Sequence, residues 1–400
     1  MCRYSLNPYR ETAPQWSDPL RAAFEGDDIL DLHHSLDEYR ATPLVSLPAL
    51  ADELGVGQVL VKDEAHRFGL KAFKGLGASY AVYRFVVGEL TSRGDPVPPV
   101  RDFYRQPGVV EAGRYTFCTA TDGNHGRAVA FTARKLRQRA VIFVPGNTVP
   151  ARIKAIESEG ARVVTVDGSY DDAVAEAAAI AQKSGWQIIS DTSWPGYEDI
   201  PRWIMAGYLT MFREIHEASL DTPRVDIVVI QAGVGAFAGA AAWYYNMLHS
   251  VSGVKLMAVE PTHADCLLQS ISSADGNPVT VAAEQDSIMA GLNCGTPSVV
   301  AWPLVKHGFD LFLSVSDDYC VRAMRRLYYP EGDDVRLVSG ESGAAGLAAL
   351  LALRAEPSLS PAVAFLDLSP DSSVLLINTE GDTGAAGFGA LVDASGHESG

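Results

Sequence analysis

Residues 114–168 read RYTFCTATDGNHGRAVAFTARKLRQRAVIFVPGNTVPARIKAIESEGARVVTVDG. Apolar runs rich in Val, Ile and Phe alternate here with segments whose apolar residues recur at helical spacing. The pattern predicts strands at 114–120, 139–145 and 161–168, joined by helices at 125–138 and 150–160. Strands joined by such helices run parallel in one sheet, so the stretch predicts an open α/β fold.

The same alternation continues on both sides of this stretch. A second series of strands and helices occupies residues 224–381, starting with RVDIVVIQAGVG and ending with SSVLLINTEG. On the N-terminal side, a strand at 57–65 and a helix at 72–89 precede the stretch. Residues 1–45 are polar and rich in turn formers, and we expect them to be irregular.

The two series predict two domains, each built on an open parallel sheet. We assign residues 1–85 and 206–400 to a large domain and residues 86–205 to a small, mobile one. Ligands of open α/β sheets bind at the carboxyl ends of the strands. We therefore expect the functional site in the cleft between the two domains.

Composition excludes several classes of partner. The formal net charge of −17, from 32 Lys plus Arg against 49 Asp plus Glu, disfavours nucleic acid. The sequence has neither a signal-like N-terminus nor an apolar run of about 18 residues, so we predict a cytoplasmic protein without membrane contact. The five cysteines are dispersed without a CxxC pair, which predicts neither a disulfide scaffold nor a metal site.

Lysine is scarce, with eight residues in the chain. Lys74, in AFKGLGA, lies near the start of the helix at 72–89 among small and apolar neighbours. Desolvation there would lower the pKa of its amine, as a lysine that forms a Schiff base requires. The alternative is a surface lysine whose stem lies along the helix, and Lys71 is the competing amine nearby.

Three other segments follow predicted strands. In QAGVGAFAGA, residues 231–240, the glycines leave backbone N–H groups free to bind an anion, with a spacing that differs from the dinucleotide motif. In TATDGNHGRAVA, 119–130, Asp122, Gly123 and Asn124 put polar side chains and free backbone N–H groups at a helix N-terminus, which suits a substrate carboxylate. The last segment, NTEGDTG, spans 378–384. The alternatives are, in turn, a packing turn, a helix N-cap and a plain turn. We interpret His125 as a packed helix residue.

Taken in order, these segments resemble the fold type II pyridoxal-phosphate enzymes, the superfamily of the tryptophan synthase β-subunit and threonine dehydratase. Within it, the likeness is to enzymes that eliminate ammonia from 2,3-diaminopropionate. The marks are RFGLKAFK, TATDGNHGR, DTSWPGYEDIPRWIMAGY, SIMAGLNCGTPS, SGESGAAG and NTEGDT. The resemblance implies pyridoxal 5'-phosphate as cofactor, an amino acid as substrate and a homodimer.

The resemblance also assigns residues to the cofactor. Lys74, next to Phe73, would form the Schiff base, and Asn124 would bind the 3-hydroxyl. The backbone of Gly233, Val234, Gly235, Ala236 and Phe237 would hold the phosphate. The pyridine nitrogen would face Thr379, Asp382 or Thr383, with Glu341 on the same side.

By the same resemblance, the reaction removes the α-proton and the β-amino group, leaving an aminoacrylate that hydrolyses to pyruvate and ammonia. Asp122 stands where threonine and serine dehydratases carry serine, and it is a second candidate base. Lys74 and Asp122 on opposite faces would let one enzyme act on L- and D-isomers. Asp191 is a candidate to neutralise the substrate's second ammonium group, or else a structural carboxylate.

Other interpretations stay open at this point. One is another fold type II activity, such as serine or threonine dehydratase or a β-replacement enzyme, and another is a non-catalytic two-domain ligand-binding protein. Asp122 argues against an ordinary dehydratase, and Lys74 against a pure binding protein.

Cys266 and Cys294 should both border the site, either as a disulfide or, in a reducing compartment, as free thiols.

Overall fold

The fold is described from a computed structural model covering residues 2–106, 108–121, 123–168, 170–219, 224–248, 253–282 and 285–393. The strands are β1 (Arg3–Leu6), β2 (Leu44–Ser46), β3 (Gln58–Asp63), β4 (Thr116–Ala120), β5 (Arg139–Pro145), β6 (Arg162–Val166), β7 (Gln187–Ile188), β8 (Ile227–Gln231), β9 (Lys255–Pro261), β10 (Leu311–Val315) and β11 (Ser373–Asn378).

The helices that connect these strands are mostly short. They are α1 (Asp18–Phe24), α2 (Asp28–His34), α3 (Pro48–Leu54), α4 (Lys74–Arg93), α5 (Asn124–Lys135), α6 (Pro150–Glu157), α7 (Tyr170–Ser184), α8 (Asp199–Gly207), α9 (Leu209–Ala218), α10 (Ala236–Trp243), α11 (Cys266–Ile271), α12 (Trp302–Gly308), α13 (Asp317–Tyr328), α14 (Ala345–Ala355), α15 (Ser360–Leu366) and α16 (Ala385–Asp393). Within the described residues, no single helix is long and apolar enough to cross a membrane, and one bent pair, Ala345–Ala355 with Pro357–Leu366, meets the length and composition criteria.

The chain divides into two compact units. Unit 1 comprises Met1–Trp16, Thr42–His66 and Met211–Gly400, and unit 2 comprises Ser17–Ala41 and Arg67–Thr210.

Unit 2 contains a four-stranded sheet in the order β6-β5-β4-β7, with every pair parallel. All five residues of β4 are buried, as expected for a parallel strand covered on both faces. Helix α7 packs its alanines against this sheet, in a core that includes Cys118, Val141 and Phe143. The open parallel α/β sheet predicted from residues 114–168 is confirmed.

Unit 1 contains a seven-stranded sheet in the order β1-β10-β9-β8-β11-β3-β2. The five central strands are parallel, and β1 and β2 pair antiparallel at the two edges. Strand β8 lies between β9 and β11, so the loops that follow β8 and β11 leave the same edge of the sheet. The second predicted parallel sheet is confirmed.

The expectation that residues 1–45 are irregular is wrong. Residues 3–6 form β1 on the edge of the unit 1 sheet, and α1 and α2 follow within unit 2. These two helices are short, but they bury Phe24, Ile29 and Leu32 completely. Tertiary burial therefore orders a segment whose local pattern is weak.

The division of the chain also differs from the predicted domains of 1–85 with 206–400 and of 86–205. Residues 17–41 and 67–85 belong to unit 2, together with the helix that begins at Lys74. The reason is packing, because α4 lies against α5 and α8 of the same unit. The candidate lysine and the candidate phosphate loop thus belong to different units.

Gly77 lets α4 approach α8 closely. A Cβ added at Gly77 would lie 2.7 Å from the Tyr208 ring and 2.8 Å from the backbone oxygen of Ile204. One added at Gly207 would lie 2.5 Å from the backbone oxygen of Leu76. Contacts this short with backbone atoms are relieved only by moving a helix.

Gly77→Ala is therefore expected to destabilise the protein by about 1–3 kcal/mol, the usual cost of overpacking. The matched control is Gly88→Ala on the same helix, where an added Cβ meets nothing within 4 Å. That change should stabilise by about 0.5–1 kcal/mol, because alanine favours helix over glycine. Urea unfolding of both variants measures the difference, and equal stability of Gly77→Ala and wild type would contradict this account of the crossing.

Unit 1 holds a fully buried ion pair. The amine of Lys62, on β3, donates to Glu214 at 2.6 Å and to the backbone oxygen of Thr42 at 2.7 Å. The hydroxyl of Thr42 donates in turn to Glu64 at 2.5 Å. Lys62 is therefore a fully buried amine, and its contacts to Glu214 and Thr42 are structural ones within unit 1.

Candidate active site

Lys74 is the first residue of α4, and its side chain is 21% exposed. Its Nζ lies 5.4 Å from the centroid of the Phe73 ring, close enough for a cation–π contact. Phe73 is buried and packs against Tyr208, with ring centroids 4.7 Å apart. The amine therefore lies beside aromatic rings of unit 2.

Asp191 binds this amine. It follows β7, and its Oδ2 accepts a hydrogen bond from Nζ of Lys74 at 2.5 Å. Burial by itself would raise the pKa of Asp191, but the charges of Lys74 and then His125 outweigh it and hold that pKa well below its ordinary value. Asp191 is predicted to face the substrate's ammonium; the ammonium it faces here is that of Lys74.

His125 reaches the same carboxylate from the first turn of α5. Its Nε2 donates to the backbone oxygen of Ile189 at 2.7 Å, and its Nδ1 lies 4.0 Å from Oδ2 of Asp191. Burial, reinforced by the Lys74 charge and opposed by Asp191, lowers the pKa of His125. The interpretation of His125 as a packed helix residue missed this neighbour, because sequence does not show where its ring points.

The turn before α5 holds the next group of candidates. The hydroxyl of Thr121 accepts a hydrogen bond from the backbone N–H of Gly123 at 3.0 Å. Helix α5 then begins at the half-buried Asn124, and Gly123, not a polar side chain, is its N-cap. Asp122 lies outside the described residues.

Lys71, the competing amine, lies outside the helix that begins at Lys74. It precedes α4, is exposed, and has a φ of 56°, in the left-handed region. Its exposure contrasts with the apolar setting of Lys74.

The glycine loop of unit 1 follows β8, as predicted, and leads into α10 at Ala236. Gly235 has a φ of 99°, which only glycine adopts readily, and a Cβ at Gly233 would lie 2.8 Å from Sγ of Cys294. The backbone oxygen of Val234 accepts a hydrogen bond from the N–H of Ser298 at 2.8 Å. The loop through Phe237 is therefore tightly shaped and bare of side chains at its two glycines.

Cys266 and Cys294 both lie beside this loop. The Sγ of Cys266 lies 3.8 Å from the backbone oxygen of Gly233. The Sγ of Cys294 lies on the side of Gly233 where a Cβ would project. Both are free thiols, Cys266 buried and Cys294 half-buried. Burial, with the nearby Glu260, raises the pKa of Cys266 well above its ordinary value, so this thiol stays protonated.

A hydrogen bond from Gln231 links the turn after β11 to β8, the strand that precedes the glycine loop. Nε2 of Gln231, the last residue of β8, donates to Oγ1 of the buried Thr379 at 3.0 Å. Asp382 and Thr383 are half-buried farther along the same turn. Sequence reasoning missed Gln231, although a polar residue ending an apolar strand beside a glycine loop is a usable signal.

Glu341 lies in the segment before α14, also within unit 1. It is half-buried, and its backbone oxygen accepts from the thiol of Cys320 at 3.0 Å. Glu380, in the turn after β11, contacts this segment. Its Oε1 accepts a hydrogen bond from the backbone N–H of Ser342 at 2.9 Å. Glu380 is a buried carboxylate that sequence reasoning also missed.

The glycine loop and the Lys74 amine each match one part of pyridoxal phosphate. The loop at Gly233 and Gly235 has no room for side chains and leads into a helix N-terminus, the backbone arrangement that binds a phosphate. Lys74 supplies a half-buried primary amine, the group that condenses with an aldehyde.

Comparison with known proteins agrees with this fit. The family described as "Pyridoxal-phosphate dependent enzyme" matches residues 36–367. The chain is 38% identical over 368 residues to a diaminopropionate ammonia-lyase of Salmonella typhimurium, covering 90% of this chain and 89% of that protein.

Solved structures of a similar enzyme match almost the whole chain. The diaminopropionate ammonia lyase of Escherichia coli in complex with D-serine has a TM-score of 0.88 at 35% identity, covering 98% of this chain and 97% of that one. The same enzyme in complex with an aminoacrylate-PLP azomethine reaction intermediate has a TM-score of 0.87 at the same identity and coverage. The predicted fold type and cofactor are thereby confirmed, and the chain belongs to the family of pyridoxal-phosphate-dependent enzymes.

Proposed function

We propose that this enzyme is a carbon–nitrogen lyase that eliminates ammonia from 2,3-diaminopropionate. With one water molecule, each diaminopropionate yields one pyruvate and two ammonia. The observation that carries the proposal is the half-buried Lys74 amine, bound by Asp191 at the start of α4. The similarity to lyases named for this substrate, at 38% identity over 90% of the chain, supports it.

The residues that we propose for the cofactor are those assigned from the sequence. Lys74 would bind its aldehyde, Asn124 its 3-hydroxyl, and the backbone from Gly233 to Phe237 its phosphate. When bound, pyridoxal phosphate withdraws electrons from the amino acid's Cα and so acidifies the hydrogen there. The chain's own side chains then have to accept that proton and deliver one to the departing amine.

Thr379 is the residue that we propose for the pyridine nitrogen. Its oxygen already accepts a hydrogen bond from Gln231, which leaves its own hydroxyl proton to be donated. A hydroxyl donor keeps the ring nitrogen unprotonated, whereas Asp382 would favour a protonated ring.

Two bases would allow the enzyme to act on both isomers of the substrate. The released amine of Lys74 would take the α-proton of the L-isomer. The D-isomer presents this proton to the opposite face, and Asp122 is the base that we propose there. The homodimer, the mobile small domain and the cytoplasmic location remain predictions.

A substrate panel tests the proposal. Pyruvate release should be measured with L- and D-diaminopropionate and L-serine, and 2-oxobutyrate release with L-threonine. We expect kcat/KM to be highest for diaminopropionate, because it is the substrate for which a lyase 38% identical to the chain is named. Faster turnover of serine or threonine would instead assign the chain to the dehydratases.

A further inference from the structure

Two ionisable groups of unit 2, Lys74 and His125, lie near the same carboxylate oxygen of Asp191. Oδ2 of Asp191 lies 2.5 Å from Nζ of Lys74 and 4.0 Å from Nδ1 of His125. The three come from separate elements, the start of α4, the first turn of α5 and the segment after β7. Their convergence at one atom therefore depends on the folded unit.

The tautomer of His125 follows from its other contact. Nε2 lies 2.7 Å from the backbone oxygen of Ile189, and a carbonyl oxygen only accepts. The proton of the neutral ring is therefore on Nε2, and Nδ1 carries the lone pair. Nδ1 is buried and makes no hydrogen bond within the described part of the chain. An imidazole nitrogen whose lone pair has no hydrogen-bond donor in the described residues thus lies beside the carboxylate that binds Lys74.

We propose that His125 is a positioning residue that takes up, through Asp191, the proton that Lys74 has to lose before its amine can react. This inference rests on the proposed function, because an amine that only forms an ion pair needs no such acceptor.

The transfer balances in atoms and charge. An N–H bond of the Lys74 ammonium breaks and its proton passes to Oδ2 of Asp191, while the same carboxyl group gives a proton to Nδ1 of His125. The products are a neutral amine, a carboxylate and an imidazolium, so the net charge of the three groups is unchanged. The distance from Nδ1 to Oδ2 has to shorten by about 1 Å to form the final hydrogen bond.

Two buried tyrosines also lie near these three groups. Tyr208 lies near Lys74 and Asp191, and Tyr197 lies near Asp191. Burial raises the pKa of each phenol far above neutrality. Both phenols therefore stay protonated at neutral pH.

Exchange of the cation partner of Asp191 tests the proposal directly. Lys74→Met removes the ammonium and leaves the Asp191 carboxylate. Of the two groups near Oδ2, His125 then remains as the one that can become a cation. In the full-length variant we expect the pKa of His125 to rise by at least ~1 unit over the cofactor-free wild type, a tenfold change in proton affinity. Nitrogen-15 shifts of the nine histidines report this, and the His125 signal is assigned by its absence in His125→Gln. The added change Asp191→Asn should abolish the rise, and an unchanged pKa in Lys74→Met would overturn the proposal.

A pH profile separates proton uptake from a structural role. Glutamine in His125→Gln keeps a donor for the Ile189 oxygen but cannot hold the proton. In the holoenzyme, we expect the acid limb of kcat/KM to move up by ~1 unit, a loss of about tenfold at low pH that disappears at high pH. A uniform loss at every pH would mean that His125 only supports packing. The nitrogen-15 measurement needs no substrate, so it can succeed even where the lyase activity fails.

Discussion

Lys74→Ala is expected to abolish elimination and the visible absorbance of the lysine-linked cofactor together. Loss of a catalytic base alone costs about 10²–10⁴-fold, and loss of the covalent attachment adds to it. The amine that disappears is the one that Asp191 binds at 2.5 Å at the start of α4. Pyruvate release and the absorbance spectrum of the purified protein measure both effects.

Two control variants separate the amine from the charge. Lys71→Ala removes the neighbouring exposed amine and should leave both readouts unchanged. Lys74→Arg keeps a cation for Asp191 but supplies no amine that condenses with an aldehyde, so it should fold and remain inactive. Retained absorbance in Lys74→Ala, with its loss in Lys71→Ala, would mean that the wrong amine is assigned.

Asp122→Asn is expected to lose activity on D-diaminopropionate by about 10²–10⁴-fold, the usual contribution of a general base. Activity on the L-isomer should change far less, because Lys74 would take that α-proton from the other face. The asparagine side chain has nearly the same shape, so the loss reports proton transfer. The measurement is kcat/KM for each isomer.

Asp191→Asn is the matched control for this prediction. Asp191 holds the Lys74 amine, so its loss should reduce turnover of both isomers. Equal losses on both isomers in Asp122→Asn would contradict the assignment of one base to each face.

The sequence predicts most of the strands because buried parallel strands carry a strong local signal. Strand β5 spans Arg139–Pro145, as its run of apolar residues indicates. Strand β1 escapes detection because RYSL is short and polar, and its antiparallel partner β10 lies about 300 residues away. The unit to which α4 belongs is decided by its close crossing with α8 at Gly77, which is a tertiary contact.

The residues of the candidate site are likewise predicted from the sequence only in part. Lys74 is identifiable from its apolar neighbours and from the order of motifs around it. Burial alone would have favoured Lys62, whose amine is nearly inaccessible but bound by Glu214. His125 and Gln231 could not be assigned, because their roles depend on side-chain directions toward Asp191 and Thr379.

The ion pair between Lys62 and Glu214 has a consequence for the order of folding during synthesis. Its two residues are 152 positions apart, so the pair forms only after Glu214 has been synthesised. Strand β3 pairs with β11 over 315 positions, so the sheet of unit 1 is complete only when the C-terminal strands exist. All four strands of the unit 2 sheet lie between residues 67 and 210, and they emerge from the ribosome before β8. Because distant contacts form slowly, we expect the amides of β4 and β5 to gain exchange protection first, and those of β3 to wait for the end of the chain.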